Sequence, residues 1–356
     1  MAWGVLMLAL SLISPRRMAA SLVPVPGPAV LAMLGLIVLV LSHQVSLSKD
    51  NSFVPTLAFA IGPLGFILAR GLGARLELAL MLVGAVVLGF ALRSAWLLLT
   101  GSEADALWPF LDANNYAALI YLLLIPGFHL YLSRLWRGRC TSWPVHASVF
   151  AAAFVLLVAL AGAQSRGATV ILVVAACIWL ALGVWHRRTL VPVFALLGAG
   201  FAASFAVETL SAVDVSGEFA AELVAANYSV RSALVAASLT VLGDAPWFGV
   251  GLFVFPLLYR RNRLEGDQDT MGLYAHNDYL QLLIEGGVLA LLVLLVFAVG
   301  IGWRFLRCAQ SPPDHERFAE LGAAMALAAA LAHAAITFVF YASFLALVIG
   351  LQAGWL

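Results

Sequence analysis

Charge is what this 356-residue sequence has least of: Lys, Arg, Asp and Glu together make up 10% of it. A soluble domain carries about 25%. With 63% hydrophobic residues and a mean hydropathy of +1.02, the composition excludes an ordinary soluble fold. Cysteine is scarce too. Cys140, Cys177 and Cys308 fall in stretches read as cytoplasmic or intramembrane, which excludes an external disulfide framework. No internal repeat and no Gly-rich nucleotide-binding signature occurs. Basic residues on the external segments are too few and too scattered to hold nucleic acid. Met1 to Ile13 is apolar but lacks the basic leader and small-residue cleavage site of a secretory signal peptide.

What the chain has in abundance is long apolar runs. Stretches of about 18 to 25 apolar residues can each cross roughly 30 Å of hydrocarbon as a helix, and they predict an all-α, polytopic integral membrane protein of about 11–12 spans. The runs lie at roughly 1–13, 28–45, 53–69, 76–99, 115–132, 145–163, 168–186, 189–208, 279–303, 318–335 and 337–354. Twelve of the 19 Lys and Arg, from Arg16 to Arg317, fall on alternate connections, which the positive-inside rule makes cytoplasmic. The other face carries 13 of the 18 acids, from Asp50 to Asp278. "GSEADALWPFLDANN", residues 211–278 and the short link near 336 are therefore expected outside, with the C-terminus inside. Eleven spans then put Met1 outside, yet the first run is only about 13 residues; either it is not a full crossing or, the preferred reading, part of an N-terminal helix is missing. The chain divides into a bundle over 1–210, an external segment over 211–278 and C-terminal helices over 279–356, all within one integrated membrane domain.

The external segment opens acidic and polar. It continues as "VRSALVAASLTVLGD", whose apolar period suits an interfacial amphipathic helix. "APWFGVGLFVFPLLY" follows, broken by Pro246, Gly249, Gly251 and Pro256. It reads as a short re-entrant or interfacial piece, tolerated only against protein or a wet cavity.

Four charged features carry candidate chemistry, each with a plainer reading beside it. Arg166, in the tight outer hairpin "AGAQSRGATVIL", is either a turn arginine snorkelling to the interface or an anion anchor. In the second reading the free amides of Gly167 and Ala168 at the start of the next helix supplement it. Arg231 either contacts lipid headgroups or completes a two-arginine clamp, since a planar guanidinium pairs bidentately with phosphate. His276 either caps a helix at the interface or acts as general base for a hydroxyl. Asn277 and Asp278 would cap that helix or hold the ring, and Tyr279 follows in its first turn. Glu285 lies about 13 Å further along at 1.5 Å per residue, too far to orient His276, and is expected to make a structural hydrogen bond to a neighbouring span. Finally, Asp267 and Asp269 in "DQD" are either a solvated acidic turn or an acid-x-acid pair for a divalent cation; the turn is preferred, and no metal or other cofactor is expected.

In order along the chain, "LDANNYAALIYLLLIP" (111–126), "QSRGATVIL" (164–172), "RSALVAASLTVLGDAPWFGVG" (231–251) and "HNDYLQLLIEGGVLALLVLLVF" (276–297) resemble the O-antigen ligase-like and O-antigen polymerase superfamily of bacterial membrane glycan transferases, most of all the ligase. That resemblance covers about the last two-thirds of the chain. It implies a glycosyltransferase of the bacterial inner membrane with its active site facing the periplasm. The donor would be an undecaprenyl-diphosphate-linked glycan and the acceptor a hydroxyl of the lipid A core, in an inverting, metal-independent transfer amid membrane lipids. By motif position the diphosphate-binding arginines correspond to Arg166 and Arg231 and the essential histidine to His276. Asn114 and Asn115 stand where an Asn-rich outer loop is expected, in a supporting role with Asn277, Asp278 and Tyr279. A repeat-unit polymerase is the alternative enzyme and a lipid-linked oligosaccharide transporter the alternative of another class.

Overall fold

The computed structural model describes residues 28–72, 75–100, 112–136, 142–183, 187–210, 232, 234–240, 247–261, 273–310 and 315–356. Regular structure among them is helical: α1 Pro28–Val45, α2 Lys49–Leu72, α3 Leu76–Leu99, α4 Ala113–Trp136, α5 Trp143–Gly162, α6 Arg166–Gly183, α7 Arg187–Leu210, α8 Phe255–Arg261, α9 Asp278–Gln310, α10 His315–Ala334 and α11 Ser343–Trp355. The all-α expectation holds. Five of them, α2 to α5 and α9, are long and apolar enough to cross a membrane, and α1, α6, α7, α10 and α11 contain shorter apolar helices. Met33, Val40, Met81, Phe201 and Val299 point outward, as side chains facing hydrocarbon do. The chain is a multi-pass membrane protein. The first expected run, 1–13, lies outside the described residues.

Contacts divide the chain into two compact units. One comprises Met1–Gly73, Val213–Gly300 and Ala334–Gly354; the other comprises Ala74–Ala212, Ile301–His333 and Trp355–Leu356.

In the first unit, α2 and α11 meet through small residues. A Cβ added to Gly350 would collide with the Gly62 carbonyl, and one added to Gly354 would stand 2.6 Å from the Phe66 carbonyl oxygen. Without a hydrophobic driving force between helices in lipid, such close backbone approach lets dispersion hold them together. The helical residues 234–240 bury Leu234, Ala237 and Ser238 and expose Val235 and Leu239. Leu234 and Ala237 pack into a core with Val250, Val254, Phe255, Tyr259, Ala275 and Ile284.

Two expected spans are corrected here. The run 279–303 is not one straight helix: Gly287, at φ 74° and ψ −176°, breaks α9 near its start. The break frees carbonyls that a continuous helix would use internally. Ile284 O accepts from Val250 N at 2.9 Å and Glu285 O from Gly251 N at 3.0 Å, while Leu289 N donates to Trp247 O at 3.3 Å. The irregular stretch 247–254 is therefore satisfied by protein, as backbone of this kind must be. The run 337–354 becomes helical only at Ser343, because the amides of Val339 and Phe340 are turned toward the Asp278 carboxylate instead of continuing a helix.

In the second unit α4 is the central helix, the most deeply buried of the five long apolar helices. Polar pairs run from it to its neighbours. Tyr116 meets Ser94 of α3 at 2.8 Å, Tyr131 meets His146 of α5 at 2.6 Å, and Tyr121 meets His333 of α10 at 3.3 Å. Trp179 of α6 donates to the fully buried His129. Hydrogen bonds between helices fix their register where hydrophobicity alone gives no preference. At the end read as cytoplasmic, the half-buried Arg304 and Glu320 pair at 3.0 Å.

Candidate functional site

His276 sits in the bend leading into α9, half-buried, with φ 51°. Left-handed backbone is uncommon in a residue with a Cβ, and such strain persists only where the surroundings enforce it. Asn277 begins the enforcement. Its Oδ1 accepts the Leu280 amide at 3.1 Å and its carbonyl accepts Gln281 N at 2.9 Å, so Asn277 is the N-cap of α9.

Asp278 is the first residue of α9, a helix-start residue as expected, but its carboxyl does not cap that helix. It is 1% exposed, and its Oδ2 accepts the amides of Val339 at 2.6 Å and Phe340 at 2.8 Å, across the link between α10 and α11. One carboxyl oxygen thus gathers two convergent backbone amides of that link. Tyr279 is half-buried in the first helical turn.

Glu285 is fully buried and gathers three segments. Its Oε1 accepts the Phe255 amide at 3.1 Å and the Gln281 Nε2 at 3.4 Å; its Oε2 accepts the Tyr341 hydroxyl at 2.7 Å. Burial and the neighbouring Glu285 carboxylate push the Tyr341 phenol well above its ordinary range, so it remains the donor. The expected structural bond is present, but its partners are a short helix, a link and its own helix. Ser42 of α1 reaches only the Glu285 backbone carbonyl, at 2.9 Å.

Glu285 does not touch His276, as its place along the helix required. The two are nonetheless joined through Gln281, whose Oε1 accepts the amide of Ala275 at 2.9 Å, one residue before the histidine. The ring of His276 packs edge-on to Phe338 at 5.4 Å, and Phe338 stacks on Tyr274 at 4.0 Å. Sequence reasoning passed over Gln281, Phe338 and Tyr341. For Gln281 a signal was available: it lies four residues from both Asn277 and Glu285, on one helical face.

Asn114, Asn115 and Arg166 lie in the second unit. Asp112 caps α4, its Oδ1 accepting Asn115 N at 2.9 Å. Asn114 accepts a hydrogen bond from Ser165 Oγ at 2.8 Å, which ties the Asn-rich stretch to the "SRG" hairpin. Asn115 is buried. Arg166 is the first residue of α6 and exposed; among the described residues it forms no ion pair. Gln164, two residues before it, also has a left-handed φ of 51°. The Ala168 amide points at Ser165 Oγ, at 3.4 Å, so it is not free to supplement Arg166 as expected; the amides of Arg166 and Gly167 still head the helix. Arg231, Asp267 and Asp269 lie outside the described residues. Among those described, no group of His, Cys, Asp and Glu side chains is arranged to hold a metal ion.

Fold and site thus describe a polytopic helical membrane protein with a histidine held in a strained turn at the start of a broken helix. Residues 151–295 match the model of the family described as O-Antigen ligase, and over that stretch the chain is similar to the O-antigen ligase-like superfamily. That similarity supports, in general terms, an activity of the O-antigen ligase or polymerase type, a membrane glycosyltransferase-like chemistry on lipid-linked glycans. The match takes in Arg166, Arg231, His276 and Glu285, but not Asn114 and Asn115. No curated protein matches the chain.

Proposed function

We propose that the protein is an O-antigen ligase, moving a glycan from undecaprenyl diphosphate to a hydroxyl of the lipid A core at the periplasmic face of the inner membrane. The observation that carries this reading is His276, held at φ 51° inside the segment that matches the ligase family. In this reaction the acceptor oxygen attacks the anomeric carbon from the side opposite the diphosphate. The new C–O bond forms as the bond to the diphosphate oxygen breaks, which inverts the centre. His276 takes the proton of the attacking hydroxyl as general base. Arg166 and Arg231 hold the diphosphate, and their charge matters most as the leaving group gains negative charge in the transition state. No nucleotide is needed, because the bond that breaks is already activated.

The test is complementation in two bacterial strains, one lacking its ligase and one its polymerase. The ligase reading expects long chains to reappear on lipid A core in the first strain, with H276A failing to restore them at normal membrane levels. Restoration of long chains only in the polymerase-deficient strain would replace this reading with the polymerase.

A further inference from the structure

Two buried carboxylates, Glu285 and Asp278, reach His276 from different directions without touching it. Glu285 holds the Gln281 side-chain amide, and Gln281 holds the Ala275 N–H, the last backbone donor before the histidine. From the other side, Asp278 fixes the amides of Val339 and Phe340, which positions Phe338, the ring against which His276 packs. Gln281 and Glu285 are both 0% exposed and Asp278 1%, so none of them meets substrate directly.

We infer that Gln281 is a positioning residue for His276, with Glu285 as the anchor that orients it; the inference rests on the reading of His276 as the proton acceptor. A left-handed histidine relaxes unless its flanking backbone is pinned. On the helical side that pin is the Asn277 cap, and on the loop side it is the Gln281–Ala275 bond. Gln281 is suited to this place because the bond needs an acceptor facing the loop and a donor facing Glu285. Its amide supplies both from one side chain. Release of the loop-side pin moves the imidazole away from the line of the acceptor hydroxyl while leaving diphosphate binding intact. The loss therefore falls on turnover.

The experiment uses the full-length protein in lipid nanodiscs, with polyprenyl-diphosphate-linked glycan as donor and lipid A core as acceptor. Gln281→Met keeps the volume and removes the acceptor and the donor; Gln281→Ala serves if methionine is not accommodated. The expected result is a turnover lowered by about tenfold to a hundredfold, with KM for the donor within about twofold. Amide exchange of the 274–277 peptide should accelerate while that of α4 does not. Wild-type kcat in both variants, with H276A inactive, overturns the positioning role alone. Loss expressed only as raised donor KM also overturns it. Full turnover by H276A would instead overturn the reading of the histidine itself, so the two failures are told apart by that arm.

Discussion

The carboxylate of Asp278 and the backbone amide of Val339 meet at 2.6 Å, although 61 residues separate them in the chain. This bond and its companion to Phe340 are why the link before α11 is not helical. Asp278→Ala leaves two buried amides without an acceptor, at about 1–3 kcal/mol each. Asp278→Asn keeps one acceptor oxygen and should lose less. Thermal unfolding of the purified variants in detergent checks the order, wild type above Asn above Ala, and faster protease cutting between α10 and α11 should accompany the fall.

Gly249 and Gly287 face each other's strands of backbone at the break in α9. Both have positive φ, and a Cβ on Gly287 would collide with the Trp247 carbonyl, one on Gly249 with that of Glu285. Either residue changed to alanine must shift backbone and not merely a side chain, so a loss of several kcal/mol, above the usual ~1 kcal/mol of a point change, is expected. Gly84 in α3 is the control: no atom lies within 4 Å of its added Cβ, and Gly84→Ala should be neutral or raise stability by about 0.5–1 kcal/mol through helix propensity. Unfolding midpoints and yields in the membrane fraction would separate the two classes.

Hydropathy and arginine placement made the helices legible because the bilayer imposes their length and the charge of their loops. Long apolar runs left little freedom for α2 to α5. What stayed hidden was set by partners distant in sequence. "IEGG" reads as an ordinary helical stretch until Trp247 and Val250 supply the backbone that breaks it at Gly287. "TFVFYASF" reads as the start of a span until Asp278 takes its amides. The site was legible as residue types, a histidine at a helix entrance and an arginine in a tight hairpin. Its support was not, since Glu285 acts on the histidine through Gln281 and the backbone of Ala275, which no spacing rule for direct contact would find.

Tyr341→Phe removes the hydroxyl that donates to Glu285 Oε2 at 2.7 Å. The buried carboxylate then keeps its bonds from Phe255 and Gln281 but loses its shortest partner, at a cost of about 1–3 kcal/mol. An unfolding midpoint of Y341F below that of wild type would agree; equal midpoints would show that the bond adds nothing to stability.

Metal should be dispensable for transfer. The mechanism places positive charge on the diphosphate through arginine, which needs no cation to bridge its oxygens. Initial rates in EDTA are expected to equal those in Mg²⁺. A rate that falls to background in EDTA and returns with Mg²⁺ or Mn²⁺ would move Asp267 and Asp269 from an acidic turn to the centre of the reaction.

Arg166 heads α6 directly after Ser165, whose hydroxyl donates to Asn114 and also lies 3.4 Å from the Ala168 amide. The hairpin is thereby tied to the start of α4, which limits how far the Arg166 backbone can swing. If the guanidinium grips diphosphate as a fork, lysine at this position supplies the charge but not the paired donors. Arg166→Lys should therefore raise the donor KM and lower kcat, with Arg166→Ala worse in both. Asn114→Ala and Ser165→Ala leave the charge in place and loosen its mounting, so their effect should be smaller, about a few-fold in kcat/KM, with about 1 kcal/mol of stability lost on removing the Ser165 cap. Initial rates over a donor titration check the order. Equal activity in R166A and wild type would show that Arg166 is only an interfacial arginine.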